Sequence, residues 1–541
     1  AVVAAAVQLN EFIFNIETSV NIGYKINHHA ADRCRSGRSL SDRVESAMSV
    51  SSIAALPAST DVLLIGYGPV GACIAALLGR YGVNTLVIDR LSEILLIPRA
   101  IALDNEALRV LQMAGLDDSA FARIAIPEVR MHSPWLGQFA RANTAGSIDG
   151  HPRLVDLRQD AAGVTAVVQD AGGEQREVRC NYLVGADGAS SKVRNLIGQD
   201  FQGTTYSEDW LIVDAGQREG LAIEHIEFIC DPRRPAPHMP APGGRERWEF
   251  MLQPGEGAAQ LEQPEQLATL LGRWIKPEEL HVERQAVYRF HARCCERFQS
   301  GRVFLAGDAA HITPPFVGQG LVAGLRDAAN LCWKLAWVSK GWAAPGILDS
   351  YDTERRPHAR KMIAMAKQMG LLIMPRSIVR SLLIHGLMRL MGLVPPLRKI
   401  FEELQIKPAN RFSQGLFAKG RQTGTQLAQG LVRTTSGPIV LSDDVLGEQL
   451  TLVGFGIDPQ ALLNAPARAS WIAHGGQFLQ VGLRGQSASG SSPFAEDMSD
   501  ALVPAIKPGQ VAVVRPDRVI MHQGPAAQAA QMVRDCLALL K

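Results

Sequence analysis

The chain has 541 residues, 47% of them hydrophobic and 20% charged, which is too long for one core and suits two or three domains. A formal net charge of +2 offers no basic excess of the kind that nucleic-acid binding needs. The eight cysteines show no CxxC spacing, which reads as a reducing cytoplasm without structural disulfides, and the pair Cys294-Cys295 reads as partly buried surface, with no metal site expected. No run free of charge reaches membrane-span length. The stretch 371–397 is interrupted by Arg376, Arg380 and Arg389 and by Pro375, Pro395 and Pro396, so it reads as amphipathic helices rather than a span.

Residues 1–59 read as a poorly structured N-terminal extension, with few periodic apolar positions and an Arg/Ser-rich segment at 33–43. The opening AVVAAAV lacks the basic start of a secretory signal. Met48 stands about where a normal start would precede the first strand, so the residues ahead of it read as a non-native or mis-assigned extension. From Asp61 to Arg90 an apolar strand (Val62 to Ile65) runs into Gly66-x-Gly68-x-x-Gly71, a helix continues through Leu78, and a second strand (Thr85 to Ile88) ends in Asp89. Strand, glycines, helix, second strand and acid stand in the register of an adenine-dinucleotide fingerprint, which does not separate FAD from NAD. A helix is expected over Asp104 to Met113, no clear element over Pro134 to Pro152, and a hairpin over Val155 to Asp170. The strand Asn181 to Gly185 then runs into Ala186-Asp187-Gly188, a second strand end with an acid and a glycine where a ligand would sit.

From about Gln202 to Ser300 the pattern becomes that of an antiparallel sheet, with strands at Leu211 to Asp214, Ile223 to Cys230, Arg247 to Leu252 and Val287 to His291 and a Pro/Gly-rich loop from Pro232 to Gly244. His225, His238 and Trp248 are candidates for substrate contact, weighed against a structural role. Gly301 to Ala336 reads as strand, turn and helix, with Asp308 just past the strand and Pro314-Pro315 forbidding a helix before Gly318-Gln319-Gly320. The free amides of such a helix start favour a ligand with negative charge. Leu348 to Met365 reads as a charged helical stretch in which Arg355 and Arg356 pair with acids. The last region, about 431–541, is α/β in texture and closes in a helix.

Together the three motifs, Gly66-x-Gly68-x-x-Gly71, Gly185-Ala186-Asp187-Gly188 and Gly307-Asp308-Ala309-Ala310-His311, resemble those of the single-component FAD-dependent aromatic hydroxylases. The stretches Arg245 to Leu252 (RERWEFML), His311 to Pro314, Gly318 to Gly320 and Arg326 to Leu331 look like the 3-(3-hydroxyphenyl)propionate hydroxylases. The resemblance implies an α/β chain: a Rossmann-like FAD-binding domain (60–201 and 301–430, the latter including a helical region), an inserted antiparallel-sheet substrate domain (202–300), and a C-terminal thioredoxin-like, non-redox domain (431–541). It implies that Gly66, Gly68 and Gly71, with Pro69, hold the cofactor pyrophosphate, and that Asp89, followed by Arg90, takes the adenosine ribose. Arg99 would lie beside the flavin, Asp187 and Gly188 at the cofactor and the reductant groove, and Gly307 and Asp308 at the ribitol. Pro315, Gly318, Gln319 and Gly320 would follow the isoalloxazine edge.

The implied reaction is the hydroxylation of a phenolic aromatic acid such as 3-(3-hydroxyphenyl)propionate to a catechol with FAD, NADH or NADPH, and O2. Partners are then the small aromatic substrate and O2, with no nucleic acid or membrane and a homodimer left open. Alternatives are a hydroxylase of another phenol or polycyclic aromatic, or a flavin-impaired, non-catalytic homologue. The sequence does not identify the base that activates the phenol. One departure matters: the span from Asp89 to Asp187 is shorter than the resemblance calls for, the missing helix belonging just before Leu154. Its loss is expected to expose the flavin, weaken FAD binding and admit water that wastes reducing equivalents.

Overall fold

The computed structural model describes residues 56–90, 103–116, 128–133, 137–141, 153–169, 174–216, 223, 225–241, 245–276, 281–375, 377–394, 408–435, 437–503 and 505–541. Met48, Arg99 and the stretch 142–152 just before Leu154, on which three of the expectations fall, lie outside the described residues.

In chain order the first unit comprises β1 (Ser59–Ile65), α1 (Pro69–Arg80), β2 (Thr85–Ile88) and α2 (Asn105–Met113). After β3 (Glu128–Ser133) and β4 (Gly137–Arg141) come β5 (Arg153–Gln159), β6 (Val164–Gln169), β7 (Gln175–Gly185) and α3 (Lys192–Leu196). The second unit follows with β8 (Phe201–Gly216), β9 (His225–Ile229), β10 (Ala236–Ala241), β11 (Arg245–Met251), α4 (Ala258–Leu261), α5 (Pro264–Leu271) and β12 (Val282–Cys295). Then come β13 (Gln299–Ser300), β14 (Val303–Leu305), β15 (His311–Ile312) and three long helices, α6 (Gly320–Ser339), α7 (Ser350–Ile373) and α8 (Ile378–Gly392).

The first sheet has the order β13-β14-β7-β1-β2, with the β5–β6 hairpin attached to β7. Its centre is parallel: β1 pairs with β2 and β7, and β14 with β7. Val62, Leu63, Leu64, Leu183, Val184 and Phe304 are fully buried, as continuous apolar runs in a sheet covered on both faces must be. The register puts Ile65 opposite both Ile88 and Gly185, and Leu305 opposite Gly185. Four strands therefore end at one level, and the residues that follow them share one edge.

The second sheet has the order β15-β12-β8-β11-β10-β9-β3-β4. It draws β3 and β4 from within 60–201, and β15 ties it to the turn after β14. Part of the expected loop from Pro232 to Gly244 is instead strand β10, paired with β9 and β11. Its prolines hide the alternation, yet every residue of the strand is buried. Cys294 and Cys295 at the end of β12 are also buried, deeper than expected, because β15 covers them.

The last region holds β16 (Leu431–Thr434), β17 (Ile439–Leu441), α9 (Ser442–Leu446), β18 (Leu450–Phe455), α10 (Ala465–Ala473), β19 (Gly476–Gly482), β20 (Phe494–Asp497), β21 (Gln510–Val514), β22 (Ile520–Pro525) and α11 (Ala529–Leu539). Its mixed sheet runs β17-β16-β20-β19-β18-β21-β22. Arg109 of α2 reaches Asp443 of α9 at 2.6 Å, and Arg515 after β21 reaches Glu354 of α7 at 2.7 Å. Among the described residues no single helix is long and apolar enough to cross a membrane.

Candidate active site

The turn after β1 is closed by backbone contacts that only glycine permits. Gly66 has φ +101°, and a Cβ there would stand 2.4 Å from the Ala186 carbonyl oxygen. A Cβ on Gly71 would stand 2.0 Å from the Gly66 oxygen. Gly68 is the N-cap of α1 and Pro69 its first residue; no side chain caps this helix start and no acid sits in its first turn. The amides of that turn are therefore available to an anion. Asp89 follows β2, and its carboxylate accepts from the Tyr67 and Arg90 backbone N–H groups, so it lies beside the glycine turn, with Arg90 exposed.

Asp187 follows β7 on the same edge. Its carboxylate accepts from the Ser191 hydroxyl at 2.5 Å and from the backbone N–H groups of Lys192 at 2.7 Å and Val193 at 3.1 Å. It thus caps α3, and burial raises its pKa while these hydrogen bonds oppose the shift. Gly188, at φ +77°, has open space where a Cβ would be.

Gly307 and Asp308 follow β14, Asp308 exposed and Gly307 buried. Gly307 has φ +59° and lies against Val70 of α1, and a Cβ on Gly324 of α6 would approach Val70 to 2.4 Å and the Gly307 Cα to 3.0 Å. Helix α6 can lie this close only because small residues line the contact. Behind the turn, Asp327 of α6 accepts from the Gly307 N–H at 3.0 Å and lies 2.7 Å from His311 Nε2 and 2.9 Å from Arg355 Nε. Burial alone would raise the Asp327 pKa, but His311 and Arg355 hold it below the usual value. The expected pairing of Arg355 and Arg356 with acids is present, Arg356 with Asp352 at 2.9 Å.

The approach to α6 passes exposed Pro315 and Gly318, which takes the left-handed conformation at φ +59°. Gln319 is buried, its amide 3.3 Å from Asp104 and its oxygen 3.3 Å from Arg326. Gly320 opens the helix with free space at its Cβ position, and no side chain caps the helix start. Of the expected cofactor residues, Gly66, Gly68, Pro69, Gly71, Asp89, Arg90, Asp187, Gly188, Gly307 and Asp308 follow strand ends of the first sheet. Pro315, Gly318, Gln319 and Gly320 form the turn leading into α6.

Phe316, in that same turn, packs on one face of the second sheet, with ring centroids 5.7 Å from Tyr206, 6.1 Å from Trp210 and 5.8 Å from Phe290. The strand register assigns Trp210, Ile212 and Asp214 of β8, Arg247, Glu249 and Met251 of β11, and Arg284, Ala286 and Tyr288 of β12 to this face. Trp248 and His238 belong to the other face, stacked at 4.6 Å with His238 Nε2 2.9 Å from Glu246. His225 is partly buried on that other face, in register with Glu128. The polar residues that the sequence does not single out are Asp214, Arg247, Glu249 and Arg284. Arg247 holds Asp214 through Nε at 2.5 Å and Nη2 at 2.9 Å, and Arg284 reaches Asp214 at 3.2 Å and the Tyr288 hydroxyl. Their signal is charge at every second position of RERWEF, inside a strand with little exposure.

The glycine turn, open helix starts and aligned strand ends fit the phosphates and ring of a flavin dinucleotide, and the FAD binding domain model matches residues 59–146 and 123–366, with a model of the HcaD C-terminal domain matching 424–539. The flavin-dependent monooxygenase PieE, solved with FAD and substrate, aligns at TM-score 0.72 and 20% identity over 89% of this chain and 99% of its own. Aklavinone-11 hydroxylase, solved with FAD and aklavinone, aligns at 0.68 and 22% over the same shares. The fold and site thus define an α/β FAD-binding protein. A 3-(3-hydroxy-phenyl)propionate/3-hydroxycinnamic acid hydroxylase of Burkholderia vietnamiensis is 35% identical over 87% of this chain and 95% of its own, and one of Klebsiella pneumoniae is 34% identical over 85% and 91%. The chain belongs to this family of FAD-dependent aromatic hydroxylases.

Proposed function

We propose that the chain hydroxylates a phenolic aromatic acid, such as 3-(3-hydroxyphenyl)propionate, to a catechol using NADH or NADPH and O2. The observation that carries this reading is the meeting of the cofactor edge and the substrate sheet through one turn: Phe316 lies on Tyr206, Trp210 and Phe290, four residues before the open start of α6. FAD, when bound, supplies the activation of O2 with electrons taken from the nicotinamide. Gly66, Gly68, Pro69 and Gly71 cradle the pyrophosphate, Asp89 accepts from the ribose, and Asp308 from the ribitol. The α6 start favours negative charge on the ring bound beside it. Asp187 acts on the cofactor through the α3 turn that it caps, and Asp327 positions Gly307 from behind. Arg247 and Arg284, side by side with Asp214 on the substrate face, are the cations that this reading assigns to the acid tail of the substrate.

On this reading 60–201 and 301–430 form the FAD-binding domain, 202–300 the core of the substrate domain, and 431–541 a thioredoxin-like domain whose one cysteine, Cys536, is buried and has no redox task. A panel of phenols with the FAD-loaded chain tests the function. The expected result is fastest NAD(P)H oxidation, with catechol formed, for hydroxyphenyl acids; a faster rate with uncharged or polycyclic phenols contradicts the substrate class.

A further inference from the structure

Glu249 stands in the middle of the substrate face. It is opposite Ile212, one level of the sheet from the aromatic residues Trp210 and Tyr288 and one from the Asp214, Arg247 and Arg284 level. By strand rise each step is about 7 Å, so Glu249 lies between the ring-binding end of the face and its charged end. Its residue is 9% exposed. Among the described residues no hydrogen bond reaches its carboxylate, whereas Asp214 on the same face is held by two arginines. The Glu249 carboxylate oxygens are not among the sealed, unsatisfied polar atoms, so a ligand hydroxyl can reach them and donate a hydrogen bond there.

We propose that Glu249 is the catalytic base that accepts the phenolic proton of the substrate. The proposal rests on the hydroxylase reading above and supplies the group that the sequence leaves unidentified. The phenol O–H bond breaks, the proton passes to the carboxylate, and the electron pair left on oxygen enriches the ring at the carbon to be hydroxylated. That carbon takes one atom of O2 and loses its hydrogen as a proton. The other atom leaves as water, with two electrons from NAD(P)H, and Glu249 returns its proton as the site resets. Burial pushes the Glu249 carboxyl up to about 7, Arg247 lowering it and Asp214 raising it by smaller amounts, which suits a base working near neutrality. The other charged or titratable groups on this face of the three strands include Tyr206 on β8, Arg245 on β11, and Arg284 and Tyr288 on β12. Ile226, Phe228, Met239 and Ala241 of the neighbouring strands, Phe316 of the turn, and Ile373 and Met388 of the helices are apolar.

The test compares native chain and E249Q, both loaded with FAD, on two hydroxyphenyl acids: one with an ordinary phenol and one whose ring nitro group ionises it near neutrality. The expected result is a loss of catechol formation on the order of 100-fold with the ordinary phenol, shrinking to within about threefold with the ionised one. The native rate should fall as pH drops below about 7, and that limb should be missing in E249Q. Equal losses on both substrates, or an unchanged rate and pH profile, overturn the role of Glu249 while the native activity keeps the hydroxylase reading intact. A native chain that hydroxylates neither phenol overturns both.

Discussion

Glu249 and Glu354 are both buried carboxylates, and their surroundings push them in opposite directions. At Glu249 desolvation dominates and the pKa rises to about 7. At Glu354 burial would do the same, but Arg515 and Lys334 hold the carboxyl far below its usual value. The difference is one of partners rather than depth. Because the folded pKa of Glu249 lies above its unfolded value, the folded state binds the extra proton between roughly pH 4.5 and 7, and stability falls with rising pH across that window. The penalty is absent at pH 4 and complete above pH 7. The amide of E249Q carries no such penalty, so the variant should be more stable than native at pH 8 by no more than about 3 kcal/mol and close to native at pH 4. Denaturant titration at the two pH values checks this; a variant equally destabilised at both would mean that the carboxylate is a packing element. Such a cost, kept in a natural protein, is what a base at a working site requires.

At the scale of elements, the helices α6 and α7 are joined to the last region through Glu354. Its carboxylate accepts from Asn330 at 2.6 Å, Lys334 at 2.8 Å and Arg515 at 2.7 and 2.9 Å, while Arg515 also reaches Asp517 and lies over the Trp333 ring at 5.3 Å. Burial lowers the Lys334 pKa to about 8 even with Glu354 opposing it, so the cluster keeps its charges only as a whole. E354Q leaves Arg515 and Lys334 facing a neutral amide, and an uncompensated buried charge costs about 3–5 kcal/mol. The expected outcome is a lower Tm with loss of FAD from the helices that flank the cradle, read by calorimetry and flavin fluorescence; a Tm within a degree or two of native would show the cluster to be dispensable. The folded pKa of Glu354 is depressed, so its contribution is fully present above the usual carboxylate value and is lost as pH falls below that value toward the depressed folded pKa.

The elements differ in how plainly the sequence announces them. β1, β2 and β7 end in glycine or acid at expected positions because parallel buried strands are apolar throughout and stop sharply. β10 is hidden because Pro237 and Pro240 look like loop residues, although both are buried. The Glu354 cluster joins residues more than a hundred positions apart, and no local pattern encodes it.

Across the whole molecule, the cofactor side of the site is legible in the sequence and the substrate side is not. Gly66, Gly71 and Gly307 serve backbone geometry, which local motifs encode: each needs a positive φ or a close backbone approach. Asp214, Arg247, Glu249 and Arg284 meet only when β8, β11 and β12 pair, and Phe316 reaches the aromatic end of the same face from another part of the chain. His238 and Trp248 draw notice as residue types, yet sheet parity sends them to the opposite face. The central claim is that these two sides enclose a working flavin. The most direct measurement is the visible absorption spectrum of freshly purified, desalted protein before and after titration with FAD. The account predicts the bands of bound flavin, present at once or gained on titration to one FAD per chain. A colourless protein that takes up no FAD would contradict it.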